Sequence, residues 1–166
     1  MNTRHHIHNL AGFTLLEVMV ALLIFSIGLL GLAGLQGSSL QNNKTADLRS
    51  IAVIAAHDMA ERIRANGRDK NQVYDNIATG IPTPATDCIS TASCTSPSQI
   101  RDWDNYEWQT MLKNSLPSGR GTVAPNADGA LVITVMWDEA HTGTLGEKCS
   151  GDPSVDLKCY KLDFLP

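Results

Sequence analysis

The sequence predicts an α+β fold, in which one long N-terminal α-helix packs on a small antiparallel β-sheet. The first observation is an apolar run from Phe13 to Leu35, in which Thr14, Glu17 and Ser26 are the polar residues. The second is that apolar residues keep helical spacing beyond this run, to about residue 65. The third is a pair of short strand-like segments near the C terminus.

The apolar run is long enough for one membrane crossing, because a helix rises about 1.5 Å per residue and the hydrocarbon core is about 30 Å thick. We therefore expect residues 13–35 to form a single transmembrane helix. Glu17 is out of place in such a run, which contains no Lys or Arg. A lone charge near the centre of a span costs about 2.5–3.5 kcal/mol, so Glu17 is expected to have a partner.

The residues before the run, 1–12, carry Arg4 and no acidic residue. Positive charge holds that end of a span in the cytoplasm, so residues 36–166 are expected to cross the membrane and form a head domain on its other side. Three histidines of this leader could in principle bind a metal, but we interpret them as a solvated leader: His5, His6 and His8.

The second half of the helix is amphipathic, with one face that needs to be covered. The apolar residues that define this face are Leu40, Leu48, Ala52, Ala55, Met59 and Ile63. Asp58 and Arg62 form a helix-stabilising i,i+4 pair, and Asn66-Gly67 is a helix stop, so the helix is predicted to run from Phe13 to about residue 65. His57 lies on the polar side and is interpreted as solvated.

Four glycines recur every three residues in the apolar half of the helix: Gly28, Gly31, Gly34 and Gly37. Two interpretations remain open. Small residues let helices approach closely in lipid. Alternatively, because glycine lowers helix propensity by about 1 kcal/mol relative to alanine, the segment is built to loosen when it leaves the membrane.

The head domain is predicted to continue as a loop over 66–98, a short helix over 99–115 capped by Ser98, and a sheet within 121–166. Strands are expected at 121–124, 130–137 and 158–164. The short helix has an apolar face made of Ile100, Trp103, Trp108, Met111 and Leu112. Its two tryptophans could form an exposed binding surface, but we expect them to pack under the loop.

The four cysteines, all of which follow the apolar run, indicate disulfides in an oxidising compartment. Neither pair has C-x-x-C spacing, which argues against zinc and thioredoxin-type sites. Three connectivities are possible, and proximity in sequence favours Cys88–Cys94 and Cys149–Cys159.

Charge and motifs argue against several classes of function. The formal net charge of −4 disfavours nucleic acid as a partner. No nucleotide-binding, EF-hand, zinc-protease or serine-hydrolase motif occurs in the sequence. We therefore predict a non-catalytic protein without cofactor or metal.

The stretch Gly12-Phe13-Thr14-Leu15-Leu16-Glu17-Val18 resembles the prepilin signal of type IV pilins and type II secretion pseudopilins. The resemblance implies that a prepilin peptidase cuts after Gly12 and methylates the new amine of Phe13. It also implies that this amine pairs with Glu17, including Glu17 of a neighbouring subunit, and that the fold is the family's "lollipop".

Three further stretches, FSIGLLGLAGLQ, AHDMAERIRAN and a W-x4-W-x3-L helix ending in LP, resemble the PilV-like branch of minor pilins. This resemblance implies a minor pilin that primes pilus assembly and stays at the pilus tip. Its implied partners are the prepilin peptidase, other minor pilins, the major pilin, the inner-membrane assembly platform, the lipid bilayer and a tip adhesin.

Two alternatives remain. A minor pseudopilin of type II secretion would have the same N-terminal features. A periplasmic enzyme or binding domain held by an ordinary signal anchor would keep its N terminus or be cut near Ala33.

Overall fold

Five secondary-structure elements make up the part of the chain that the computed structural model describes, residues 14–66, 73–84, 87–90 and 94–165. In chain order they are α1 (Leu15–Asn66), α2 (Pro97–Ser115), β1 (Arg120–Pro125), β2 (Leu131–Trp137) and β3 (Lys158–Phe164). The chain divides into two compact units, Met1–Asn43 and Lys44–Pro166, and α1 contributes to both.

Helix α1 has different surroundings in the two units. In Met1–Asn43 its described side chains are exposed. In Lys44–Pro166 one face is buried, and the small size of its alanines lets other elements approach the helix backbone. The buried residues of this face are Leu48, Ala52, Ala55, Ala56, Met59, Ala60 and Ile63. The helix ends at Asn66, one residue beyond the predicted end, and Gly67 lies outside the described residues.

Helix α2 begins at Pro97, and the predicted cap at Ser98 is wrong. Ser96 is the N-cap, because its hydroxyl accepts a hydrogen bond from the amide of Gln99 at 3.3 Å. The side chain of Gln99 accepts in return from the amide of Ser96 at 3.2 Å, which completes a capping box. Proline at the first helical position has a backbone angle suited to a helix start. The helix therefore begins two residues earlier than predicted.

The three strands form one antiparallel sheet in the order β1-β2-β3. In the first pair, Gly121 lies opposite Val135. In the second pair, Leu131 lies opposite Phe164, and the pairing continues to the other end of β3. Six of the seven residues of β2 are buried, as expected for the central strand. The long helix and the three-stranded antiparallel sheet confirm the predicted α+β class.

Helix α2 connects α1 to the sheet through two buried side chains. The indole Nε1 of Trp108 donates to the backbone oxygen of Ala55 on α1 at 2.9 Å. Gln109 bonds the backbone of Gly121 on β1 twice, donating to its oxygen at 2.7 Å and accepting from its amide at 3.2 Å. Its side chain also donates to the backbone oxygen of Ala78 at 3.2 Å. The segment between α1 and α2 is therefore attached to the same side chain as β1.

The predicted apolar face of α2 is buried at its centre and half-buried at its rim. Trp108 and Leu112 are fully buried, whereas Trp103 is half-buried and lies 5.5 Å from the ring of Tyr106. Of the two predicted tryptophans, Trp108 is therefore a core residue. Trp103 keeps part of its surface accessible.

Gly121 is required by the close approach of α2 to β1. A Cβ atom at this position would lie 2.2 Å from a ring carbon of Trp108 and 2.9 Å from a methyl carbon of Leu112. We expect Gly121→Val to lower the free energy of unfolding by about 1–3 kcal/mol, the usual cost of overpacking a core. Denaturant unfolding of the full chain in detergent, followed by tryptophan fluorescence, measures this change.

Ala124→Val is the matched control, because Ala124 is an exposed residue of the same strand. It adds side-chain volume to β1 without entering the core, so its stability should remain close to that of the wild type. Equal stability of the two variants would contradict the proposed close packing.

Candidate functional site

Glu17 lies in the first turn of α1. Its amide donates to the backbone oxygen of Thr14 at 3.1 Å and to the Thr14 hydroxyl at 3.3 Å, so Thr14 caps the helix start. A carboxylate in the first turn of a helix interacts favourably with the helix dipole. The first turn of the helix therefore favours a negative charge at this position, whereas the apolar residues around it disfavour one.

The surroundings of Glu17 are apolar and uncharged. From Val18 to Asn43 the sequence has no Asp, Glu, Lys, Arg or His, and Lys44 is the next charged residue. The exposed large apolar side chains of α1 in this unit are Leu15, Leu16, Val18, Met19, Val20, Leu22, Leu23, Ile24, Phe25, Ile27, Leu29, Leu30, Leu32, Leu35 and Leu40. This surface needs lipid or other apolar helices around it.

Among the described residues, α1 is the helix that is long and apolar enough to cross a membrane. No part of its most apolar stretch is buried within the protein. A signal sequence near the N terminus can meet the same criteria, so the N-terminal motif has to distinguish the two.

The other predicted processing residues, Gly12 and Phe13, lie outside the described residues. Cleavage after Gly12, methylation of Phe13 and the pairing of its amine with Glu17 therefore stay predictions. At each of the four glycines of α1, an added Cβ atom would have no neighbour within 4 Å beyond its own helix. Both interpretations of these glycines therefore stay open.

Both disulfides join neighbouring parts of the chain. Cys88 pairs with Cys94 across a Cα–Cα distance of 5.2 Å, and Cys149 pairs with Cys159 across 5.6 Å. These are the two pairs that sequence proximity favours. The first closes a loop beside the start of α2, and the second ties the β2–β3 connection to β3.

Arg62 is the centre of a charged cluster that joins α1 to α2. Its Nε lies 2.8 Å from the carboxylate of Asp58, the pair expected from the helical spacing. Its Nη1 lies 2.7 Å from Glu107 and 3.3 Å from Asp104, both on α2. The contacts of Arg62 with Asp104 and Glu107 were not predicted from the sequence, which indicated only the pair with Asp58.

Asp104 is held by a second bond that fixes the segment after α1. The hydroxyl of the buried Tyr74 donates to its carboxylate at 2.6 Å and accepts from the side-chain Nδ2 of Asn66 at 2.9 Å. Burial raises the pKa of Asp104 above its usual value, against the opposing effects of Tyr74 and Arg62. We assign this cluster to the stability of the head unit, because it cross-links α1, α2 and the segment between them.

The β2–β3 connection is organised around two carboxylates. The buried Asp138 accepts from the amides of Gly143 at 2.8 Å and Thr142 at 3.1 Å. Asp156 likewise accepts from the amides of Ser150 at 3.2 Å and Lys148 at 3.3 Å. The β2–β3 connection contains no helix or strand, and these hydrogen bonds fix its conformation.

Two histidines, His57 and His141, lie at the surface, whereas His5, His6 and His8 lie outside the described residues. His57 is exposed on α1. His141 is exposed in the β2–β3 connection, where its Nε2 lies 2.9 Å from the Nζ of Lys44. In the described part of the chain, no group of three or more His, Cys, Asp or Glu residues is arranged to hold a metal ion.

Comparison with known families gave two matches. Residues 34–106 match the family model described as "Type IV pilin Tt1218". Residues 8–33, which include Gly12, Phe13 and Glu17, match the model described as "Prokaryotic N-terminal methylation motif". The two segments adjoin and together run from residue 8 to residue 106. No curated protein and no solved structure matched the chain.

Asp138 gives a prediction for the stability of the head unit in acid. Burial of its carboxyl favours the neutral form, but the hydrogen bonds from Gly143 and Thr142 outweigh this effect and lower the pKa. The stabilisation is therefore present above the unfolded-state pKa of about 3.9 and is lost as the pH falls through the lower folded-state pKa. We expect Asp138→Asn to be less stable than the wild type at pH 7, with a smaller loss on acidification.

Denaturant unfolding at pH 7 and at pH 3 measures this difference. Asp104 and the other carboxyl groups are the same in both proteins, so their titration cancels. Asp128→Asn, in an exposed turn, is the control and should follow the wild type. An Asp138→Asn variant as acid-sensitive as the wild type would contradict the role of these hydrogen bonds.

Proposed function

We propose, from the premise that this chain belongs to the type IV pilins, that it is a minor pilin that helps to start pilus assembly and stays with other minor pilins at the pilus tip. The observation that carries the proposal is the single carboxylate of Glu17 in the first turn of an exposed apolar helix. Pilins are structural proteins, and we propose that this one has no catalytic activity.

The N-terminal methylation motif implies processing by a prepilin peptidase. We propose that residues 1–12 are the leader, that cleavage follows Gly12 and that the amine of Phe13 is then methylated. Phe13 and Glu17 are four positions apart in the sequence, a spacing that corresponds to about one turn of a helix. Processing thus creates a positive charge that can neutralise Glu17 in the same chain or in a neighbour.

The pairing explains why a carboxylate is retained in an apolar surface. An unpaired carboxylate in hydrocarbon is costly, so an incoming subunit is favoured in the position where its amine or its Glu17 meets the opposite charge. The remaining apolar side chains of α1 can exchange lipid for neighbouring helices at little cost, since both surroundings are apolar. The carboxylate therefore sets the position of the subunit, and the apolar surface holds it there.

The motif and the apolar helix indicate a membrane-anchored pilin. We propose that residues 13–35 cross the inner membrane once and that residues 36–166 form a periplasmic head, which later reaches the cell surface in the pilus. The two disulfides support this location, because disulfides persist in oxidising compartments such as the periplasm.

We propose the prepilin peptidase, the major pilin, other minor pilins and the inner-membrane assembly platform as partners, with a tip adhesin as a further one. A minor pseudopilin of type II secretion is the second candidate, because its N-terminal features would be the same. Deleting the gene separates the two: loss of pili with normal secretion supports a pilin, and the reverse supports a pseudopilin.

Processing at Gly12 is the first test. We expect the protein recovered from membranes to begin at Phe13 and to carry one added methyl group. We expect Gly12→Leu to block cleavage, because the bulky side chain obstructs the peptidase, and to keep all twelve leader residues. Intact-mass measurement gives both results.

Gly37→Leu is the control, since it places the same side chain on an exposed position of α1 outside the motif and should be processed normally. A wild-type chain that keeps its leader, or that is cut near Ala33, would refute the proposal in favour of a signal-anchored protein.

Glu17 is the second test. We expect Glu17→Ala to be cleaved and inserted normally but to enter pili poorly, because the amine of its neighbour loses the opposite charge. A pairing energy of about 1.4 kcal/mol corresponds to about tenfold lower incorporation. Quantitative immunoblots of sheared pili against membranes measure the ratio.

Ser26→Ala is the matched control, because it removes a polar group from the same apolar run. The Ser26 hydroxyl donates to the backbone oxygen of Leu22 within the helix at 2.7 Å, so its loss leaves the surface uncharged as before. Equal incorporation of Glu17→Ala and the wild type would show that Glu17 does not set the position of the subunit.

A further inference from the structure

The two edges of the β-sheet differ in how their backbone groups are satisfied. At the β1 edge, the amide and oxygen of Gly121 are bonded by the side chain of Gln109. Two residues further on, the amide and oxygen of Val123 exchange hydrogen bonds with Ile77 at 3.0 and 2.9 Å. Pro125, which has no amide hydrogen, ends the strand. This edge is closed to another strand.

The β3 edge is open. All seven residues of β3 pair with β2 on one side. On the other side, no backbone hydrogen bond is formed within the described residues 14–66, 73–84, 87–90 and 94–165. In an antiparallel strand about half of the backbone groups point to each side, so β3 presents a row of unpaired donors and acceptors. Such a row is a template for a further strand.

The side chains of β3 are also incompletely buried. Tyr160 and Leu162 pack against the core but are only half-buried, on the same face as the buried Phe164. On the opposite face, Lys161 and Asp163 are exposed. An added strand would complete the burial of the first pair and would have to match the charges of the second.

We propose that the open edge of β3 binds an extended segment of another protein as a fourth, antiparallel strand. The segment carries a basic residue opposite Asp163 and an acidic residue opposite Lys161, with apolar residues between and beside them. Read from its N terminus, its pattern is apolar, basic, apolar, acidic, apolar. The inference goes beyond the proposed role in pilus assembly, because it concerns the head unit alone and does not require processing at Gly12.

The antiparallel direction follows from the sheet, in which both existing pairs are antiparallel. In that direction the three apolar residues of the segment lie opposite Phe164, Leu162 and Tyr160, on the face that packs on the core. The two charges lie on the outer face, opposite Asp163 and Lys161. Backbone hydrogen bonds supply affinity in this binding mode, and the alternating side chains supply specificity.

The test uses the full chain in detergent and a fluorescently labelled, end-capped peptide of sequence Thr-Val-Lys-Val-Glu-Val-Thr. Two further peptides have the same side chains but carry N-methyl groups on the odd or on the even backbone amides. Fluorescence anisotropy measures the Kd of each. We expect the parent peptide and one methylated peptide to bind, and the other methylated peptide to bind at least about tenfold more weakly, because its methyl groups face β3.

Charge exchange tests the register. The variant Lys161→Glu with Asp163→Lys should bind the parent peptide about tenfold more weakly and should prefer a peptide in which Lys and Glu are exchanged. The matched control, Lys113→Glu with Asp128→Lys, exchanges exposed charges on α2 and in the β1–β2 turn, not on β3, and should bind like the wild type. Circular dichroism checks that both variants are folded.

Three results would overturn the proposal. One is equal binding of the two methylated peptides, which would show that backbone pairing is not used. Another is an affinity for the parent peptide that is the same in the wild type and in the variant with exchanged charges. The third is concentration-dependent self-association of the wild-type chain that the β3 variant abolishes, which would assign the edge to a second copy of this chain.

Discussion

The apolar surface of α1 cannot remain in water, and this constraint governs the rest of the molecule. Each large apolar side chain that is left exposed forgoes about 1.5–3 kcal/mol of burial energy, and the first unit exposes such residues on every side of the helix. A monomeric protein in water could not maintain such a surface. Lipid and a bundle of similar helices are the two surroundings that accept it, and the proposed pilin would occupy both in turn.

The second half of the same helix forms part of the core, although few of its buried residues are large. Its buried face is mainly alanine, so α2 can approach closely enough for Trp108 to reach the backbone of Ala55. The same closeness lets Arg62 bond carboxylates on both helices. The next residue of α2, Gln109, bonds the backbone of Gly121 at the edge of β1, where a further strand would otherwise pair.

The sequence alone predicted the features that depend on local patterns. Periodicity predicted the extent of α1 and the α+β class, and β-branched alternation predicted the positions of β2 and β3. The helix start at Ser96 was missed because Ser96 and Ser98 are both residues that can cap a helix, and the bond between Ser96 and Gln99 decides between them. The contacts of Arg62 with Asp104 and Glu107 join residues more than 40 positions apart, which no local pattern encodes. The need for glycine at position 121 likewise appears only once Trp108 lies against β1.

The β2–β3 connection is stabilised mainly by bonds among its own residues. Two carboxylates bond its amides, and the Cys149–Cys159 disulfide attaches it to β3, while most residues between Glu139 and Val155 face outward. Substitutions at these outward positions therefore need not disturb the core. The sequence of this part of the surface can therefore change while the packing of the head stays the same.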